Sequence, residues 1–584
     1  MCGIAGFMTF DGSIPSKEII EKMQKTLFHR GPDDSGDYFA DGIALAHQRL
    51  SIIGLKNGNQ PIISNKNNVL IANAEIYNYK ELYKIFQNFL FKSSSDCEVI
   101  LSSYEQYGSS FCKILEGMYA LALYDENEKT LYLSRDPFGI KPLYYSETEF
   151  GLIFSSEIKS LISSGLIDVK QDEIALYSLM QLQFSPGSQT IFKSIKRVSP
   201  GETLIIKRGK IVKREFIESL PVNRKLINNE EVALEKLDIA MRKSISLHER
   251  SDVPIGLFFS GGIDSTCLLS LMHHNADRKI KTFTASFKGY NDFEIDKVNL
   301  ISNHFGTEQI TVDVTKEIFF ERLPEIVMSM DDPIADYAII PTYLLAEKAA
   351  SEVKVVLSGE GGDELLAGYG RYRRMLRPKI FGGREMYYKG NFDGLNIFKK
   401  SFNSWKLLLS DFKDKCCKED RTKLQIAQLI DCKFWLPDDL LIKTDRCLMA
   451  HGVEGRVPFL NIELARLLFN FSDNLKIQKK LGKYILRKWL GNSYPFYNFN
   501  EKKSGFTVPV SDWIFSEGNK LGKLVAKQEV INEIMDYKSV EALFTSRGKR
   551  QSFAAWVLLF YSIWYKYFFQ NKTMNGSVFD VLSD

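Results

Sequence analysis

The chain has 584 residues, 45% of them hydrophobic and 25% charged, and a net charge of +4. That length exceeds one ordinary domain and predicts two, and the composition is that of a globular protein in water. So small a charge, with Lys and Arg spread along the chain, predicts no nucleic-acid partner. Eight cysteines without repeated spacing suggest neither a zinc site nor a disulfide framework; they fit a reducing cytosol, so a cytoplasmic location is expected. The first residues lack the basic and apolar regions of a signal peptide. The longest apolar stretch, 554–565, is too short to insert across a bilayer and, with Trp556 and Trp564, predicts a buried helix.

The chain opens Met1-Cys2-Gly3-Ile4-Ala5-Gly6-Phe7. Methionine before a small residue is normally removed. Cys2 would then carry a free α-amino group whose pKa of about 8 lets it act as base toward its own thiol. Downstream stand His29-Arg30-Gly31-Pro32-Asp33, His47-Gln48-Arg49-Leu50-Ser51-Ile52 and Asn73-Ala74-Glu75-Ile76-Tyr77-Asn78. Ser94-Ser95-Asp96-Cys97-Glu98 and Arg135-Asp136-Pro137-Phe138-Gly139-Ile140-Lys141-Pro142-Leu143-Tyr144 follow. Alternating apolar runs at 119–124, 130–134, 151–155 and 203–207 predict strands.

In order and spacing these strings resemble the class II glutamine amidotransferase domain, an N-terminal nucleophile glutaminase, over residues 1–212. The resemblance implies an α+β fold, a stacked-sheet αββα sandwich. It implies that Cys2 attacks the glutamine amide, and that the Asn73 side chain and the Ala74 N–H form the oxyanion hole. Arg49 would grip the α-carboxylate, which suits a planar, always-charged donor. Main-chain groups of Leu50, Ser51, Ile52 and Ile53 would orient the glutamine, and Glu75 and Asp96 would hold its α-ammonium. The 29–32 string is expected to be a structural turn without chemistry. Two positions depart from the family: Ala74 stands where Gly is usual, and Ser94 where Gly is common. If position 74 needs φ > 0, Ala costs about 1 kcal/mol or more there, and a slower glutaminase is expected.

The strand pattern is lost from about 215 to 230, and helical spacing resumes over 231–247. An apolar run at 255–259 predicts a buried strand, and Ser260-Gly261-Gly262-Ile263-Asp264-Ser265 leads from it into a helix. Two glycines let backbone N–H groups point at one anion, and the helix N-terminus adds about half a positive charge. Asp264 fits beside a phosphate if Mg²⁺ sits between them. The spacing is not that of a Walker loop. Then come a strand at 281–287, a helix at 292–305, a strand at 309–314, two helices and a strand at 353–357. Such alternation predicts an α/β, doubly wound parallel sheet. The last strand ends in a second Gly-rich turn, Ser358-Gly359-Glu360-Gly361-Gly362-Asp363-Glu364.

The first turn resembles the pyrophosphate-binding loop of ATP pyrophosphatases. The second resembles the S-G-E-G-x-D-E string of asparagine synthetase-like enzymes. Asp331-Asp332-Pro333, Thr444-Asp445-Arg446, Glu454-Gly455-Arg456-Val457-Pro458-Phe459-Leu460, Lys483-Tyr484-Ile485-Leu486-Arg487 and Lys502-Lys503-Ser504-Gly505-Phe506 agree with that family. The resemblance covers residues 213–584 as an ATP-pyrophosphatase-type synthetase domain. It implies ATP at Ser260, Gly261, Gly262, Asp264, Ser265, Ser358 and Gly359, with Phe259 and Ala285 bordering the adenine. It implies Mg²⁺ on Asp264 and Asp363. Glu360 would take the proton from incoming ammonia, and Lys483 would meet the pyrophosphate and acyl-adenylate. The expected activity is ATP-dependent transfer of ammonia from glutamine to a carboxylate, with AMP and pyrophosphate released. Aspartate is the favoured acceptor and a uronic acid of surface polysaccharide the alternative. A homodimer is expected from the family alone.

Overall fold

The computed structural model describes residues 2–584 except 222–225, 276–277, 291, 388, 401–403, 418, 480, 496–497 and 500–507. The string from Lys502 to Phe506 therefore lies outside the described residues, as does 222–224 of the junction.

The first half folds into two stacked antiparallel sheets of six strands each. The first runs Lys196–Arg197, Tyr144–Glu147, Gly151–Ser155, Gly3–Thr9, Ile43–Arg49, Asp34–Ala40. The second runs Lys210–Phe216, Glu202–Lys207, Thr130–Arg135, Gly117–Asp125, Asn68–Ile76, Ile62–Ile63. Both faces of the central strands are apolar because both are covered. In Gly3–Thr9 the two-residue period sends Ile4 and Met8 between the sheets, and Ala5 and Phe7 outward under Lys17–Lys25 and Glu173–Leu182. In Asn68–Ile76 Val69 and Ile71 face the other sheet, while Leu70, Ala72 and Ala74 face Glu98–Tyr107. The αββα layering follows. The strand Lys210–Phe216 carries the second sheet past position 212.

Helix Glu230–His248 opens the second half, capped by Asn229, whose Oδ1 accepts the Val232 N–H at 3.0 Å. Five parallel strands then lie in the order Glu308–Asp313, Lys281–Ser286, Ile255–Phe258, Val355–Leu357, Glu454–Arg456. Helices cover both faces: Leu257 and Leu357 pack with Ile263–Asn275, and Val356 with Ile339–Ala350. The strand order reverses between Ile255–Phe258 and Val355–Leu357, so the two Gly-rich turns leave neighbouring strands at the switch point, where such sheets bind ligands. The apolar 554–565 stretch is buried within helix Lys549–Phe568, and among the described residues no helix is long and apolar enough to cross a membrane.

The two halves share cores. The outer face of the first sheet continues into Leu344, Trp556 and Trp564, and Phe192 meets Trp564 with ring centroids 5.6 Å apart. Leu50, Ile52, Ile53 and Tyr77 join the core that holds Leu257 and Phe459.

Candidate functional site

The first cluster forms where apolar side chains run out at one end of the sandwich. Cys2 continues the inward parity of Ile4 and Met8, and Asn73 and Glu75 continue that of Val69 and Ile71. The Cys2 N–H donates to Asn73 Oδ1 at 3.0 Å, which fixes the amide. Its Nδ2 is then a buried donor with no hydrogen-bond partner among the described residues. Leaving such a group unsatisfied costs about 1–3 kcal/mol, and an unspent donor beside a nucleophile is what an oxyanion hole requires. Cys2 is 7% exposed, and burial pushes its thiol up, so attack needs a base. Its Sγ faces the Leu50 carbonyl at 4.0 Å.

Around this lie the other glutamine candidates. Glu75 Oε1 is buried without a hydrogen-bond partner among the described residues. Asp96 accepts the Ile76 N–H at 2.7 Å, and burial lifts its carboxyl to about 6. Arg49 is held by Asn59 Oδ1 at 2.6 Å and the Gly54 carbonyl at 2.8 Å. Gly58 makes that possible, since a Cβ there would lie 2.6 Å from Arg49 Nη2. The 50–54 loop is pinned from both halves. The Ser51 N–H donates to Asp33 at 2.8 Å, the Gly54 N–H to Asp252 at 3.0 Å, and the Asp252 N–H to the Ile52 carbonyl at 3.1 Å. The Ile53 carbonyl faces Arg49 Nη2 at 3.4 Å.

The second cluster joins the two Gly-rich turns. Gly261 takes φ 65°, and the hydroxyls of Ser260 and Ser265 come within 3.3 Å. The Gly262 N–H donates to Ser260 Oγ at 3.3 Å. Lys483 adopts φ 59° at the start of helix Tyr484–Ser493, and its ammonium pairs with Asp264 and, at 2.6 Å, with Asp363. A non-Gly residue in the left-handed region is strained, and two ion pairs hold it there. Gly368 leaves the space: a Cβ there would sit 1.7 Å from Asp363 Oδ1 and 2.3 Å from Lys483 Cε. Asp264 Oδ1 and Ser358 Oγ are buried without hydrogen-bond partners among the described residues. A Cβ on Gly359 would lie 2.9 Å from Asp264 Cβ, so the turns touch. Phe259 gives its N–H to the Phe283 carbonyl at 2.9 Å and accepts the Thr284 hydroxyl at 2.7 Å, while Ala285 lies in the neighbouring strand opposite Val312.

Behind these, Glu360 Oε1 accepts from Thr444 Oγ1 at 3.4 Å, and its Oε2 is buried without a hydrogen-bond partner among the described residues. Lys443 pairs with Asp336 at 2.7 Å, and Gln183 donates to Asp439 at 2.7 Å. Among the described residues no group of three or more His, Cys, Asp or Glu forms a metal cage. Two carboxylates converging on one cationic point, with Asp264 Oδ1 lacking a hydrogen-bond partner among the described residues, have the hard oxygen chemistry that would suit a divalent cation.

Two sequence families match the chain: the glutamine amidotransferase domain over residues 1–217 and asparagine synthase over residues 236–566. A glutamine-hydrolysing asparagine synthetase of Bacillus subtilis is 32% identical over 98% of both chains. The chain belongs to the asparagine synthase family. A putative asparagine synthetase of Mycobacterium tuberculosis is 29% identical over 98% of each chain. Amidase chyE of Penicillium rubens is 30% identical over 91% of this chain and 92% of its own. The chain is accordingly a glutamine-hydrolysing, asparagine-synthetase-type amidotransferase and ligase of a family that uses ATP.

The asparagine synthase fold answers the question raised by Ala74. The residue lies inside strand Asn68–Ile76, its φ is not positive, and its methyl packs in the core under Glu98–Tyr107. The flanking N–H groups of Ala72 and Ile76 point to the strand's outer side, where Gln60 Oε1 and Asp96 Oδ2 accept them at 2.6 and 2.7 Å. By the strand period the Ala74 N–H points there too. The expected cost of replacing glycine is therefore absent. Ala74→Gly should leave glutamate release within about twofold and lower stability by about 0.5–1 kcal/mol, as glycine does inside a strand. Parallel glutaminase assays and melting curves check both; a tenfold faster glutaminase would reverse the conclusion.

Two arginines, Arg30 and Arg456, have contacts that their strings do not reveal. Arg30, expected in a turn without further role, is fully buried. It donates from Nε to the Cys2 carbonyl at 3.0 Å and from Nη1 to Glu157 at 2.7 Å and Asp445 at 2.8 Å. It thus ties the Cys2 backbone to the second half. Arg446 continues the network to Asp331 at 2.6 Å, and Arg197 clasps Asp332 at 2.6 and 2.7 Å. The signal available was an arginine inside each of the two strings, but the partners that reach across the halves, Asp445 for Arg30 and Glu75 for Arg456, lie hundreds of positions away.

Proposed function

We propose that the protein hydrolyses glutamine at Cys2 and passes the ammonia to a carboxylate activated as its acyl-adenylate, with aspartate the favoured acceptor. The observation that carries this reading is that one chain holds both an unspent amide donor at Cys2 and a lysine shared by the acids of two adjacent Gly-rich turns.

In the first cluster, Cys2 Sγ attacks the side-chain carbonyl of glutamine. Asn73 Nδ2 and the Ala74 N–H receive the developing oxyanion, and ammonia leaves as the thioester forms; water then releases glutamate. Arg49 takes the α-carboxylate, while Glu75 and Asp96 take the α-ammonium. With Met1 removed, the amino group of Cys2 is the base, and Asn73 Oδ1 orients it. In the second cluster, Ser260, Ser265 and the turn N–H groups receive phosphate oxygens, and Asp264 and Asp363 would hold Mg²⁺, which neutralises phosphate charge when bound. An acceptor carboxylate oxygen attacks the α-phosphorus of ATP and pyrophosphate departs past Lys483. Ammonia attacks the acyl carbon, Glu360 takes its proton, and AMP leaves.

The test is an assay with glutamine, ATP and aspartate, scored for glutamate, asparagine, AMP and pyrophosphate. Equal yields of asparagine and AMP are expected. The amidase-named relative leaves open a second reading, in which another carboxylate such as a uronic acid is amidated; AMP release with a sugar acid and none with aspartate would select it.

A further inference from the structure

Arg456 touches both clusters. Its strand, Glu454–Arg456, lies beside Val355–Leu357, and its carbonyl accepts the Ser358 N–H at 2.9 Å, at the first residue of the 358–364 turn. Its side chain runs the other way, into the first half. The guanidinium lies 3.1 Å from Glu75 Oε2 and 2.6 Å from Glu454 Oε1, and Nη1 takes the His248 and Arg250 carbonyls at 2.7 Å each. The Tyr77 ring lies 5.9 Å from it and packs on His248 at 4.0 Å. Arg456 is fully buried, and its Nη2 faces Glu75 as an ion pair without a hydrogen bond among the described residues, so the strength of that contact depends on where the planar fork lies.

We propose that Arg456 is a positioning residue that couples glutamine binding at Glu75 to the state of the 358–364 turn. A ligand that draws the turn moves the Arg456 main chain through the Ser358 bond, and the guanidinium carries the shift to Glu75. Burial pushes the Glu75 carboxyl up and Arg456 opposes this, so the anion that an ammonium needs depends on where the guanidinium lies. The coupling is reciprocal: glutamine on Glu75 biases the turn by the same factor. The inference rests on reading Glu75 as a ligand of the glutamine ammonium.

The experiment uses the full chain, and Arg456→Lys, which keeps one buried cation and loses the fork, beside Arg456→Gln. In the unaltered protein, ATP with aspartate should shift the KM for glutamine, read as glutamate release, about fivefold. In Arg456→Lys the KM should rise about tenfold at a kcat within about twofold, and the ligand-dependent shift should vanish. Ammonia-driven AMP release should keep its own KM. A glutamine KM unmoved in folded Arg456→Lys, a shift that persists, or equal losses with both nitrogen sources would each overturn the proposal. Absence of glutamate release from the unaltered chain would overturn the glutaminase reading and this proposal with it; release that ignores Arg456 overturns this proposal alone.

Discussion

Cys2→Ala is expected to abolish glutamine-driven amide formation while ammonia-driven AMP release stays within about twofold. Removing a covalent nucleophile acts on the scale of about a million-fold, because the remaining donors stabilise an oxyanion that no longer forms. The structure supplies the reason for selectivity. Cys2 lies at the sandwich end, its N–H on Asn73 and its Sγ facing the Leu50 carbonyl, both in the first half. Replacing a thiol that is 7% exposed by a methyl costs little packing, so the protein should still fold. The measurement is glutamate and AMP release from the same preparation with each nitrogen source. Glutamine-driven activity surviving within tenfold of the unaltered chain would remove Cys2 from the chemistry.

Lys483→Met is expected to show the opposite pattern: AMP formation falling about two to three orders of magnitude with either nitrogen source, and glutamate release unchanged. Methionine keeps the apolar stem and removes the charge. Asp264 and Asp363 would then face one point with no cation between them, and the departing pyrophosphate would lose its fixed positive partner. Exchange of labelled pyrophosphate into ATP in the presence of aspartate reports the step without ammonia. A loss seen only when glutamine is the donor would place Lys483 outside adenylation.

Much of the architecture was legible because periodicity survives burial. Runs at 119–124, 130–134 and 151–155 alternate or stay apolar, and all three fall inside strands. The turn after Ile255–Phe258 was legible because few residue types serve two turns at one switch point. The strands Glu454–Arg456 and Lys210–Phe216 were not, the first being three residues long and the second carrying an exposed, charged face. The Ala74 question could not be settled from composition, since φ depends on where the strand ends, and Asn68–Ile76 extends past it. Arg30 and Arg456 escaped for one reason. Their meaning is carried by atoms far along the chain, such as Asp445 for Arg30 and Glu75 for Arg456.

The shared cores also constrain how the protein is made. Phe192 sits against Trp564 and stacks on Phe569 at 5.2 Å, and Gln171 donates to Tyr561 at 2.8 Å, all within or beside the helix near the carboxyl end. On a ribosome the leading half emerges long before that helix is translated. Its outer sheet face must wait, sticky and wet, for the trailing residues to arrive. Cutting the gene near position 217 should therefore yield an insoluble amino-terminal fragment that clears only when the remainder is synthesised alongside it.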